Sequence, residues 1–398
     1  MTRPPPFRWE HQAYDYNYKD MGCTGYTGLD AHCVVQKTIL PAWRSQIGPR
    51  GMYKAGLAVF PDGRLLASPV NMLAEKARSP FPSGGLELTW PVELHESTDC
   101  GQSWHRFEHS PLVGKEGSLH VLDSGVVLFT SESLDGVCVS EDEGRNWRAV
   151  PFASERRDEG EVCGTIRSPI IHGDGTISFM CCVGTPEDSS GYTASPAHCR
   201  AWMVHSVDGG RSWGDRTAVE IPWEDPFPYF IECDFERMPD GRLLAASRFE
   251  WNHELKGKPL PYPPGTMRND HAAGHMVLME STDEGRSWSE PIEFLDYSEV
   301  QGQLTLLQDG RLLCTYTNYH HPFGVAAVVS RDYGRTWDHD HPLQLAWSSG
   351  GCTGWSTTRE MPDGALLTVH ALEPYDVEPV ESGRTVCHTV RWKLPPEK

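Results

Sequence analysis

The chain is poor in basic residues for the acid it carries, with 35 Lys and Arg against 55 Asp and Glu and a formal net charge of −20 at pH 7. Such a field repels phosphate polymers and anionic lipid, which argues against a nucleic-acid partner or a membrane-surface role. No apolar run is long enough to cross a bilayer. The opening stretch MTRPPPFRWEHQAYDYNYKD has no apolar segment before a small-residue cleavage site, so no secretory signal is expected. The 12 cysteines form no CxxC pair and fall mostly in β-rich stretches, Cys181 beside Cys182. Buried free thiols in a reducing cytoplasm are expected, in place of disulfides or a zinc centre. No segment of useful length has a helical hydrophobic period.

What the chain does have is repetition. Ser97–Trp104 (STDCGQSW), Ser140–Trp147 (SEDEGRNW), Ser206–Trp213 (SVDGGRSW), Ser281–Trp288 (STDEGRSW) and Ser330–Trp337 (SRDYGRTW) share one pattern, Ser-x-Asp-x-Gly-x-[Ser/Thr/Asn]-Trp. Ser and Asp can bond nearby amides, Gly supplies positive φ and Trp returns an aromatic to a core, so each copy is expected to be a β-hairpin turn. Its Asp is read as structural. A second repeat alternates with the first: FPDGRLLAS from Phe60, LDSGVVLFT from Leu122, HGDGTISFM from His172, MPDGRLLAAS from Met238, LQDGRLLCTY from Leu307 and MPDGALLTVH from Met361. Most carry Asp-Gly between apolar β-rich flanks, a strong hairpin signal.

Strand, hairpin, strand, loop, strand, hairpin, strand makes a four-stranded antiparallel unit, and six such units predict an all-β six-bladed β-propeller. One domain is expected over residues 1–398, with blades near 51–108, 112–150, 160–220, 228–295, 299–345 and 351–393. The sixth unit is a strand short. The N-terminal segment 1–50 is expected to close it through Cys33–Leu40 (CVVQKTIL), leaving no open edge. All the hairpins must share one face of the disc. The long loops after Asn71, Gly184 and Trp251 point to the opposite face as the binding face.

Counting nine residues back from each hairpin Gly puts Lys54, Glu116, Ile166, Glu232, Gln301 and Trp355 in register near the top of the innermost strands. Polar side chains there would line the axis of the ring. In blade four, strand alternation puts Glu232, Asp234 and Glu236 on one side, with Arg248 on the next strand within hydrogen-bond reach of Glu232.

These motifs resemble those of the sialidase superfamily. The five Ser-x-Asp turns are similar to its Asp boxes, or BNR repeats, over nearly the whole chain. The run from Glu232 to Arg248 resembles its fourth blade, where a Glu polarises the nucleophile and an Arg binds the substrate carboxylate. Gln301-Gly302 resembles its fifth-blade motif. The sequence departs from the family in three places. Its first-blade Arg has no counterpart in Tyr53–Ala55, its fifth-blade Arg none in His320–Val325, and the position of its nucleophilic Tyr holds Trp355.

Two of the three guanidinium groups that clamp a carboxylate are thus missing, and Trp cannot form a covalent glycosyl intermediate. The leading expectation is a glycoside hydrolase acting on a terminal, acidic or hydroxyl-rich, small sugar through carboxylates, Glu232 with Glu116, Asp234 or Glu250. Arg248, Lys54, Gln301 and Arg167 are candidate substrate ligands, with Trp355 a sugar-stacking platform. His120, His320, His321 and His370 are candidates to bind substrate or to move a proton in an eliminase acting on uronate-containing sugars. A non-catalytic glycan- or protein-binding propeller is the contrasting class. No cofactor is implied, and neither His339 with His341 nor Asn269-Asp270-His271 has a recognisable metal-ligand spacing.

Overall fold

A computed structural model describes residues 42–81, 88–131, 134–153, 162–165, 167–184, 200–214, 217–219, 231–250, 274–295, 299–319, 324–348, 354–373 and 385–394. Within these residues six sheets are arranged as a ring, a six-bladed β-propeller, and a separate two-stranded ribbon pairs Ala77–Arg78 with Leu88–Thr89. Blade one comprises Met52–Val59, Leu65–Asn71, His95–Ser97 and His105–Arg106; blade two Gly117–Val121, Val127–Ser131, Gly136–Ser140 and Arg148–Pro151. Blade three has Val162–Thr165 followed by Ile170–Ile171, then Ile177–Gly184, Arg200–Ser206 and Thr217–Ala218. Blade four is Ile231–Arg237, Leu243–Glu250, Gly274–Ser281 and Ile292–Glu293; blade five is Glu299–Leu306, Leu312–Asn318, Gly324–Ser330 and Leu343–Trp347. Blade six contributes Gly354–Glu360, Leu366–Leu372 and Val386–Trp392, and its fourth strand is Ala42–Ile47.

That last strand closes the ring, paired antiparallel from Ala42 opposite Trp392 to Ile47 opposite Cys387. It lies just after the stretch expected to do this, since Cys33–Leu40 falls outside the described residues. The pairing puts the first and the last described strands in one sheet, so the edge of Val386–Trp392 is covered.

The hairpins follow their residues. The six innermost turns carry Gly63, Gly125, Gly175, Gly241, Gly310 and Gly364, all at φ between 71° and 91°, a region L-residues avoid. In each Ser-x-Asp turn the Ser hydroxyl donates to the Asp and accepts the Gly amide. In the blade-four copy Ser281 Oγ donates to Asp283 Oδ1 at 2.8 Å and accepts from Gly285 N at 2.9 Å. Asp283 Oδ1 also accepts from the Ser287 amide at 2.9 Å. The same bonds recur in the other four copies.

The core is divided among the seams between blades. Each seam has its own cluster, for example Leu66, Leu119 and Phe129 between blades one and two, and Leu244, Leu304 and Leu312 between blades four and five. The Trp that ends each Ser-x-Asp turn packs into the seam with the preceding blade. Trp288 lies 5.4 Å from Phe235 and Trp337 lies 4.6 Å from Phe294, centroid to centroid. No helix among the described residues is long and apolar enough to cross a membrane.

Candidate functional site

Four of the innermost strands break register close to their starts, on the face away from the hairpins. Pairing skips between Tyr53 and Gly56, Ile231 and Asp234, Val300 and Gln303, and Gly354 and Thr357. At each bulge one residue takes the left-handed conformation without being glycine: Lys54 at φ 40°, Glu232 at 53°, Gln301 at 60° and Trp355 at 51°. That conformation costs an L-residue roughly 1–2 kcal/mol. A bulge re-aims a side chain that regular alternation would send elsewhere. Here four side chains from four blades are turned toward the axis.

They meet around Glu232, whose side chain is 8% exposed. Arg248 Nη1 donates to Glu232 Oε2 at 2.9 Å, and Gln301 Nε2 donates to Glu232 Oε1 at 3.0 Å. Lys54 Nζ lies 3.9 Å from the same Oε1 and bonds Glu116 Oε1 of blade two. Burial alone would raise the Glu232 carboxyl. The Arg248 guanidinium, the Lys54 ammonium and the bonds from Arg248 and Gln301 outweigh it and hold the group well below the ordinary carboxylate range. Gln301 is oriented in turn, because its Oε1 accepts from Thr317 Oγ1 at 2.9 Å and from the Trp355 amide at 3.0 Å. The amide oxygen is thereby occupied, which leaves the NH2 to face Glu232. Lys54 Nζ sits 5.1 Å from the Trp355 ring centroid and 5.2 Å from that of Tyr53.

A second layer lies below. Asp234 is fully buried; its Oδ2 accepts from the Leu304 amide at 2.8 Å and its Oδ1 from Ser168 Oγ. Burial raises its carboxyl, and burial pushes that of Glu236 up to about 7. Asp234 therefore ties blades three, four and five together one step beneath Glu232, instead of standing beside it. Arg167, expected to meet substrate, is 3% exposed, and its guanidinium bonds backbone carbonyls of blades five and six under the Trp355 ring. His120 Nε2 donates to the Arg167 carbonyl at 2.5 Å, and burial brings the imidazole down to about 3, so it is neutral.

The remaining expectations separate from this cluster. His370 is buried between blades five and six, beside His388 at 6.4 Å, on the face of its strand that packs against blade five. Glu250 ends the strand Leu243–Glu250, with its side chain outside the described residues, as are Ile166, His320 and His321 in full. Tyr53 and Thr317 support the cluster without having been singled out as site residues. Their only signal was adjacency to counted positions: Tyr53 precedes Lys54, and Thr317 follows Gly310 by the seven residues that separate Arg248 from Gly241. Among the described residues no group of three or more His, Cys, Asp or Glu is arranged to hold a metal ion.

Fold and site together define a sialidase-like six-bladed β-propeller with a charged cluster at its axis. A protein of unknown function from Dyadobacter fermentans superposes with a TM-score of 0.59 at 15% identity, over 88% of this chain and 98% of that one. An α-L-arabinanase of Penicillium chrysogenum, solved with arabinobiose, gives a TM-score of 0.56 at 13% identity, over 87% and 94%. The intramolecular trans-sialidase of Ruminococcus gnavus, solved with oseltamivir carboxylate, gives 0.54 at 12%, over 86% and 94%. At such identities the likeness is one of fold. By sequence, no family model and no curated protein matches the chain.

Proposed function

We propose that this propeller is a glycoside hydrolase that removes a terminal neutral sugar, with Glu232 and Glu116 as its carboxylate pair. The observation that carries the reading is the placement of these two acids, from blades four and two, on either side of the Lys54 ammonium. One ammonium reaching both brings their facing oxygens nearer than the roughly 6.5–9.5 Å of inverting glycosidases and favours the ~5–5.5 Å of retaining ones. Glu232, held ionised, attacks the anomeric carbon. The glycosidic C–O bond breaks, and the leaving oxygen takes the proton shared by Lys54 and Glu116. Water then cleaves the glycosyl ester and returns that proton. Trp355 holds no ionisable oxygen, so a carboxylate takes the place of the Tyr on which the sialidase resemblance would rely.

The choice of a neutral sugar rests on charge. Arg248 is bound to Glu232 and Lys54 to Glu116, so the cations at the axis already face carboxylates of the protein. A propeller that grips a sugar acid needs guanidinium groups facing the ligand. A histidine-dependent eliminase is disfavoured because His120 and His370 point elsewhere, which leaves Tyr53, its ring 5.2 Å from the Lys54 ammonium, as the described side chain at the cluster that such chemistry would use. The arabinobiose-bound arabinanase and the trans-sialidase share the fold, and sugar chemistry is proposed here by that analogy as well as by the geometry. The five free cysteines of the described residues, four of them buried, support a reducing compartment.

Turnover of aryl glycosides of neutral pentoses and hexoses, with an aryl sialoside as control, tests the reading. Wild type is expected to cleave a neutral glycoside. E232Q should lose about 10²–10⁴-fold in kcat, and azide should restore E232A by forming a glycosyl azide. Undiminished turnover by E232Q, or no cleavage across the panel, would overturn it. Calorimetric binding of a sugar without cleavage would instead establish a glycan-binding propeller, a role that the full set of protein partners around Glu232 also suits.

A further inference from the structure

Arg167 is the one described residue that bonds three of the four axial bulges. Its backbone N–H donates to the Cys233 carbonyl of the blade-four bulge at 3.0 Å. Its Nη1 donates to the Gln301 carbonyl of the blade-five bulge at 2.8 Å, and its Nη2 to the Ser356 carbonyl of the blade-six bulge at 2.7 Å. The guanidinium Cζ lies over the Trp355 ring, 4.0 Å from its centroid, a cation–π distance. His120 of blade two holds the Arg167 carbonyl from the other side, and the next residue, Ser168, bonds Asp234. Burial lowers the guanidinium only to about 10, with Asp234 and Glu232 pulling the other way, so it stays cationic at neutral pH.

The carbonyls so held belong to a left-handed residue, Gln301, or to the residue that follows one, Cys233 after Glu232 and Ser356 after Trp355. Glu232, Gln301 and Trp355 adopt conformations that a β-strand would relax to negative φ if nothing opposed it. Relaxation would rotate each side chain away from the axis. A planar, forked donor suits this place, because two carbonyls on different blades accept from separate nitrogens while the cationic carbon sits over an indole ring. A lysine has one compact ammonium and no such plane.

We propose that Arg167 is a positioning residue that locks the bulges of blades four, five and six and so aims Glu232, Gln301 and Trp355 at one point. This rests on the glycosidase reading for its kinetic test but not for its structural one. In R167A, kcat on the glycoside that wild type cleaves should fall at least about 100-fold, the scale of a 1 Å misplacement. KM should stay within about threefold, and guanidinium added to R167A should restore much of the kcat. R167K should not recover it. R44A, which removes a half-buried arginine that bonds the Leu345 carbonyl in the blade five–six seam, serves as a control for loss of a packed arginine away from the axis and should retain kcat. A crystal structure of R167A is expected to show at least one of the three bulges at negative φ. Should wild type cleave no glycoside, that structure decides alone. Three unchanged bulges with unchanged side-chain positions would overturn the proposal, as would a kcat loss in R44A equal to that in R167A.

Discussion

At the scale of single residues, the site is built from positions that break local preference. Lys54, Glu232, Gln301 and Trp355 sit where glycine would be comfortable, so side-chain chemistry is present at each in spite of the backbone cost. Gly354 shows the converse. Its φ is 108°, and a Cβ there would collide with Thr317 Oγ1 and Gln301 Oε1, the pair that fixes the Gln301 amide. Gly354→Ala should therefore displace Gln301 from Glu232 as well as strain the chain. We expect a loss of stability of about 1–3 kcal/mol, read by urea unfolding, together with a kcat loss that a mere packing defect at the rim would not bring. Full activity in that variant would mean that the Gln301–Glu232 bond has no part in catalysis.

At the scale of elements, the repeats state the hairpins but not the way the ring closes. The Ser-x-Asp turns are legible because their bonds are local, all within four residues or so, and their Trp plugs only the neighbouring seam. The closing strand is legible only as a missing fourth strand. Its position, Ala42–Ile47, was shifted from the expected Cys33–Leu40 because β-rich composition cannot register one strand against another 340 residues away. Ile47, fully buried between blades six and one, tests its weight. Ile47→Ala is expected to cost about 2–5 kcal/mol in denaturant unfolding. A variant as stable as wild type would show that the N-terminal strand frays independently of the disc.

At the scale of the whole molecule, burial of titratable groups makes stability depend on pH. His120 and His388 are brought by burial to about 3 and about 4 from 6.5, and burial lowers His370 and His205 as well. Each binds its proton more readily in the unfolded chain, so its contribution is present above pH 6.5 and is lost as pH falls toward the native values. Glu236 acts oppositely. Burial raises it from 4.5 to about 7, so its share is present below pH 4.5 and is lost as pH rises through 7; Asp234, raised by burial too, adds to that side. Four histidines against two acids predict a net fall in Tm from pH 7 to pH 5, measurable by calorimetry. Glu236→Gln should stabilise the protein more at pH 8 than at pH 5. A Tm that rises on acidification would mean that the buried acids dominate.

From the sequence by itself came the number of blades, the alternation of two hairpin types and the register that singled out Lys54, Glu116, Glu232, Gln301 and Trp355. Those depend on residues close together in the chain or on a repeat that can be counted. Only the tertiary structure decided that four of the five sit on left-handed bulges, that Arg167 is buried and bonds the bulges of blades four, five and six in place of meeting the solvent side, and that His370 belongs to a seam. A bulge changes the direction of a side chain by inserting one residue, and a strand pattern of period two does not record which of two faces meets the axis. That choice is made by carbonyls and ring planes contributed by other blades, which local residues do not encode.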